Sequence, residues 1–220
     1  MTTGSFQIQE KDIELLKGRW NTLAGRYTDD PAELGAAFAT MVQHYSGRRR
    51  VYHNLSHIRA LTDLYEELKV DGDCDAISFS IWYHDVIYDT RRKSNEDDSA
   101  KLACSAMARL GVPSHTIAEV EKMILATKDH SAENLSVEGK LFLDLDISIL
   151  GAPADIYEEY RQAIRQEYDW VPWAIYQKGR REVLTLFSER RRVFITDGVG
   201  AKFENQARLN LRHELEGLAP

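Results

Sequence analysis

The 220-residue chain has little of several things. It carries two cysteines, Cys74 and Cys104, with no CxxC pair, so neither a disulfide framework nor a thiolate zinc site has the material to form. That inventory suits a reducing, cytoplasmic setting. Five prolines and 13 glycines among 220 residues fall below the usual share of about 12% for the two together, leaving few turn residues for a many-stranded sandwich or barrel. No stretch of about 18 apolar residues occurs, and the opening MTTGSFQIQEKD lacks a basic start followed by an apolar run, so neither a membrane span nor an export signal is expected. A net charge of −7 does not favour general binding to nucleic acid or to a membrane surface.

What is present is helical periodicity. Ile13, Leu16, Trp20, Leu23 and Tyr27 form one amphipathic face between Gln9 and Tyr27. Asp30-Pro31 starts a second helix, with Leu34, Phe38, Met41 and Tyr45 as its stripe and Gly47 at its end. A third runs from Asn54 to Leu68 and carries His57, with DGDCD as the loop after it. Ala76 to Tyr88 is apolar nearly all round and reads as a buried central helix containing His84-Asp85. SAKLACSAMARLG, closed by Gly111, and Pro113 to Thr127 supply two more helices.

Val137 to Leu150 contains LFLDLDISIL, whose alternation resembles a strand, but no partner strand is evident and a helix is preferred. Pro153 and Pro172 open two further helices, to Tyr168 and to about Phe187, and Phe203 to Leu215 closes the chain after a glycine-rich loop. With no repeat or linker, the expectation is a single all-α domain over 1–220 with about ten helices. Its core spans about 30–150, and a helical extension covers about 151–220.

Three histidines stand where helices can gather them: His53 and His57, four residues apart, and His84 beside Asp85. An ionisable pair within an apolar segment costs several kcal/mol if unpartnered, roughly, and a divalent cation relieves both charges. His57 is a suitable further donor, and Asp144 or Asp146 offers a carboxylate from an apolar setting.

The order His57, His84-Asp85, then an aspartate resembles the H…HD…D signature of the HD-superfamily metal-dependent phosphohydrolases. RVYHNLSHI, WYHDVIYD followed by SNEDDSA, LDLDISILG and IRQEY look like its branch of predicted HD phosphohydrolases, over about Arg50 to Tyr168. The resemblance implies an HD-domain-like bundle and one divalent metal ion (Mn, Co, Mg, Fe, Ni or Zn) held by His57, His84, Asp85 and Asp146. It also implies hydrolysis of a small phosphorylated substrate, with a nucleotide as the first choice, although Tyr88 stands where some HD nucleotidases place an acidic residue.

On that reading Asp85 orients the attacking water, Glu96 is the general acid or base, and His130 is a proton shuttle. Arg50, Arg91, Arg92 and Lys93 are the candidate phosphate contacts, with Arg165 and Arg180 as distant alternatives.

Blander readings stand beside these. His53 can be satisfied by local partners such as Tyr52 or Asn54, and His84 and Asp85 can meet arginines in a structural ion pair. The arginine triplets suit solvated helix ends. The aromatic run Tyr157, Tyr160, Tyr168, Trp170 and Trp173 suits core packing, or else a platform for a nucleobase. A non-catalytic, metal-containing regulatory protein, with the extension as a homodimer surface, is the alternative function.

Overall fold

The computed structural model describes residues 5–68 and 75–218. Ten α-helices follow in order: α1 Glu10–Ala24, α2 Pro31–Tyr45, α3 Leu55–Leu68, α4 Asp75–Tyr83, α5 Asn95–Arg109, α6 Ser114–Ala126, α7 Val137–Asp146, α8 Ala154–Glu167, α9 Trp173–Ser188 and α10 Asp197–Gly217. A 3-10 turn, Ile147–Gly151, extends α7, and no strand occurs among the described residues. The LFLDLDISIL segment is therefore helical. The loop expected at DGDCD lies, up to Cys74, outside the described residues.

Local chemistry explains the helix starts. Asp30 accepts from the Ala32 amide at 2.8 Å ahead of Pro31, Asn54 accepts from Ser56 at 2.7 Å before α3, and Ser136 accepts from Gly139 at 3.1 Å before α7. Gly111 follows α5 with φ +81°, a left-handed turn suited to glycine.

Three boundaries differ from expectation, the first being that of α5, which begins at Asn95 and takes in the NEDD segment ahead of SAKLACSAMARLG. The closing helix begins at Asp197, because Gly198 and Gly200 are accommodated in its first turns instead of forming a loop. The central helix α4 stops at Tyr83, leaving His84 and Asp85 in the turn beyond it.

The reason for that stop is an unusual set of side-chain partners for the carbonyls at its end and in the turn beyond it. Tyr45 Oη donates to the Trp82 carbonyl at 3.0 Å, His84 Nδ1 to Ile81 at 3.0 Å, and Arg50 to Asp85 and Val86 at 2.7 and 2.8 Å. Carbonyls satisfied in this way need no further helical turn.

α4 is buried on all sides, with Trp20 from α1 meeting Trp82 edge to face at 5.7 Å. The buried apolar residues form one continuous cluster from Leu16 to Leu218, so α8–α10 share the core of the preceding helices. α10 lies directly against the 3-10 turn. A Cβ on Gly151 would sit 2.5 Å from that of Phe203, and Asn210 donates to the carbonyls of Leu150 and Ala152 at 2.9 and 2.8 Å. This contact anchors the chain immediately after Asp146.

Candidate metal centre

Four helix ends deliver the polar cluster. His57 lies in the first turn of α3, His84 and Asp85 follow α4, Asp146 is the last residue of α7, and His130 sits between α6 and α7. Leaving the helix at Tyr83 matters here, since adjacent residues inside a helix diverge by about 100°. In the turn, Asp85 Oδ2 comes back to within 3.2 Å of His84 Nε2.

His57 Nε2 and His84 Nε2 face each other at 3.2 Å, and Asp146 Oδ1 lies 3.4 and 3.3 Å from them. The Ile81 carbonyl can only accept, so His84 Nδ1 carries a proton there and Nε2 is the ring atom turned toward His57 and Asp146. His57 and His84 are 2% and 1% exposed, so water does not separate them.

The titration directions express this crowding. Burial opposes protonation of His84, but the Asp85 and Asp146 carboxylates outweigh it and hold the imidazole well above its ordinary value. Burial also lowers His57, reinforced by the neighbouring His84. For Asp146, burial is overcome by His84 and by hydrogen bonds from His130 and His57, so the carboxylate stays far below its usual range. The site holds its carboxylates ionised and draws positive charge toward the imidazole nitrogens.

A divalent ion fits this donor set. Ligands about 2.1 Å from a metal are about 3.0 Å apart in cis-octahedral and about 3.4 Å apart in tetrahedral arrangement, the range seen among His57, His84 and Asp146. These three form the mutually close group, and Asp85 joins through its approach to His84. Two imidazoles with carboxylates suit Mn, Fe, Co, Ni or Zn.

Asp144 has another task. It is fully buried and accepts from Ile195 N, Thr196 N and Thr196 Oγ1 at 2.6–2.8 Å, capping the approach to α10. Burial raises its pKa against those hydrogen bonds.

Around the cluster, His130 Nε2 donates to Asp146 Oδ2 at 3.1 Å. Its backbone is left-handed, φ 50°, and Arg190 donates to its carbonyl at 2.9 Å. His53 is not satisfied by Tyr52 or Asn54. Its Nδ1 meets Glu167 at 2.6 Å, its Nε2 is 3.9 Å from Asp85, and its ring stacks on Tyr88 at 4.2 Å.

Glu167 is the residue that sequence reasoning missed. It is 1% exposed and also accepts from Tyr52 N and His53 N at 2.8 and 2.9 Å and from Tyr88 Oη at 3.1 Å. The available signal was an acidic residue on the apolar stripe of α8, three positions after Ile164.

A cavity of about 650 Å³ opens beside the cluster, lined by His53, Asp85, Glu96, His130 and Asp146 together with an aromatic wall from α8, α9 and their connection. The expected phosphate contacts are not brought into it. Arg50 is engaged with the carbonyls of His53, Asp85 and Val86, and thus shapes the turn that carries His84 and Asp85. Arg92 pairs with Asp98 at 2.6 Å, Lys93 is exposed, and Arg91 lies over Trp170 at the rim.

Arg165 donates to Tyr168 and Val171 carbonyls, and Arg180 lines the cavity while bound to Glu214. The aromatic run divides: Tyr157 is buried, Tyr160 is buried and lines the cavity together with Tyr168 and Trp170, and Trp173 is exposed and stacks on Tyr176. Among the described residues, no helix is long and apolar enough to cross a membrane. No protein-family model matches the chain, nor does any curated protein or solved structure.

Proposed function

We propose that this chain is a metal-dependent phosphohydrolase of the HD type, acting in the cytoplasm on the phosphate ester of a small molecule. The observation that carries the reading is the convergence of His57 Nε2, His84 Nε2 and Asp146 Oδ1 within 3.2–3.4 Å of one another at a cavity. An ion buried on all sides would support a structural role; Asp85 and Asp146 keep 19% and 13% side-chain exposure and line the cavity, which supports an open, catalytic one.

His57, His84 and Asp146 would hold the ion, with Asp85 at its edge. A bound divalent cation supplies Lewis acidity toward phosphate and lowers the pKa of water. The chain's own groups do the rest. Ionised Asp85 accepts a hydrogen bond from the attacking water and orients it. His130 holds a proton at Nε2 against Asp146 at the cavity wall, and Glu96 lines the same cavity as the general acid or base for the departing alcohol. Glu167 fixes His53 from behind through its 2.6 Å contact with Nδ1.

The test combines metal analysis of the purified protein with phosphate release from a panel of phosphate esters in added manganese, cobalt or magnesium. One bound metal with selective release is expected, lost in H57A and D85A and retained in the surface variant K11A. Equal activity in all three variants rejects the proposal.

A further inference from the structure

The cavity beside the metal cluster is far more apolar than a polyphosphate site requires. Tyr88, Tyr168, Trp170 and Tyr176 form its wall, and Ile175, Gly179 and Val183 present one face of α9 to it. Ile175 and Val183 are 64% and 45% exposed, so apolar surface at the mouth lies open to solvent. Several polar groups in the wall are already engaged. Thr90 Oγ1 bonds Trp170 Nε1 and the Glu167 carbonyl, Thr127 Oγ1 bonds the Ile124 carbonyl, and Tyr88 Oη bonds Glu167.

Charge points the same way. Arg180 is the only lysine or arginine among the described lining residues, and its guanidinium makes two bonds to Glu214 and one to Tyr160 Oη. Glu96, Asp85 and Asp146 add carboxylates. A single phosphate at the cluster would be matched by a bound ion, but each additional phosphate meets carboxylates and aromatic carbon, and Arg91, which lies over Trp170 at the rim, is not among the lining residues.

We infer that the substrate is a phosphate monoester of a bulky apolar alcohol or phenol, with its phosphate at the His57–His84–Asp146 cluster and its apolar part against the Trp170–Tyr176 wall and the Ile175/Val183 face. The inference rests on the phosphohydrolase reading and narrows it, displacing a nucleoside polyphosphate as the preferred substrate. Hydrolysis transfers the phosphoryl group to water: the bond from phosphorus to the ester oxygen breaks, and the alcohol leaves with the proton that water gives up. A cavity of about 650 Å³ is in the range that encloses a two-ring group.

The test compares kcat/KM for 1-naphthylmethyl phosphate, glycerol 2-phosphate and ADP on metal-loaded full-length protein, and measures binding of 1-naphthylmethylphosphonate by calorimetry. Naphthylmethyl phosphate, an alkyl ester like glycerol phosphate, is expected to be preferred over it by on the order of 100-fold, because its rings are removed from water. The I175S/V183S double variant, altered at exposed positions, reduces that ratio about tenfold and weakens phosphonate binding.

Equal or better turnover of glycerol phosphate or ADP overturns the substrate class while leaving the phosphohydrolase reading intact. Phosphonate binding with no turnover of any ester overturns the enzymatic reading and retains the apolar cavity as a binding site. Absence of both binding and turnover overturns both.

Discussion

Two buried charged clusters in this molecule follow opposite rules. Glu214, Arg180, Tyr157 and Tyr160 form a closed network: Arg180 Nε and Nη2 donate to the two Glu214 oxygens at 2.8 and 3.1 Å, Tyr157 Oη donates to Glu214 Oε2 at 2.6 Å, and Arg180 Nη1 donates to Tyr160 at 3.2 Å. Every strong acceptor there faces a donor. About the His57–His84–Asp146 cluster the same burial brings two imidazole nitrogens and a carboxylate to within 3.2–3.4 Å of one another, with no lysine or arginine paired to them among the described residues. Burial and ionisation alone therefore do not mark a site; an arrangement short of positive charge does.

The contrast is broken most severely at the metal cluster. D146N keeps the side-chain volume but removes the negative charge that lies within 3.4 Å of both imidazoles. Turnover should fall on the order of a thousandfold or more, with metal stoichiometry dropping toward zero by elemental analysis. In the closed network the expected outcome is loss of fold stability. E214A leaves the Arg180 guanidinium buried without its carboxylate, which costs about 3–5 kcal/mol. A thermal melt should show a drop of roughly 10 °C, and an unchanged melting temperature would remove the structural role assigned to that pair.

Proton release sharpens the comparison further. The carboxylates hold the His84 imidazole above its ordinary value, so the metal-free protein binds a proton at neutral pH that an incoming ion must displace. Calorimetric titration of metal in two buffers of different ionisation enthalpy should report about one proton released per ion at pH 7. No buffer dependence would mean the imidazole was already neutral.

The smallest effect concerns acid stability. Burial raises the Glu214 pKa, but Arg180 outweighs it and places the folded value below the unfolded one. A depressed carboxylate contributes its stability fully above the unfolded pKa, about 4.3, and loses it as pH falls through the folded value. Wild type should therefore lose melting temperature below about pH 4.3 more steeply than E214Q. Parallel curves would show that Glu214 does not carry that dependence.

Much of the helical plan was legible from local pattern. The Leu34, Phe38, Met41, Tyr45 stripe and the Asp30-Pro31 start correspond to α2, and Pro113, Pro153 and Pro172 each stand at the N-cap of a helix. Such features depend on neighbours within one turn, so sequence spacing registers them directly. The end of α4 was not legible, because the carbonyls at and just beyond it find their partners in Tyr45 and Arg50, more than 30 residues away.

Composition and periodicity by themselves pointed to an all-α chain and singled out His57, His84, Asp85 and an aspartate of LFLDLDISIL as candidate ligands. Periodicity did not separate Asp144 from Asp146; the family resemblance favoured Asp146, and tertiary structure puts Asp146 beside two imidazoles and binds Asp144 to the backbone of Ile195 and Thr196. Tertiary structure likewise tied Arg50 to carbonyls, paired His53 with Glu167 across 114 positions, and turned the α8–α9 aromatics into a cavity wall. The physical reason is common to all of these. A helix face is fixed by residues three and four apart, whereas hydrogen-bond partners and cavities are fixed by helices that meet only when the whole core packs.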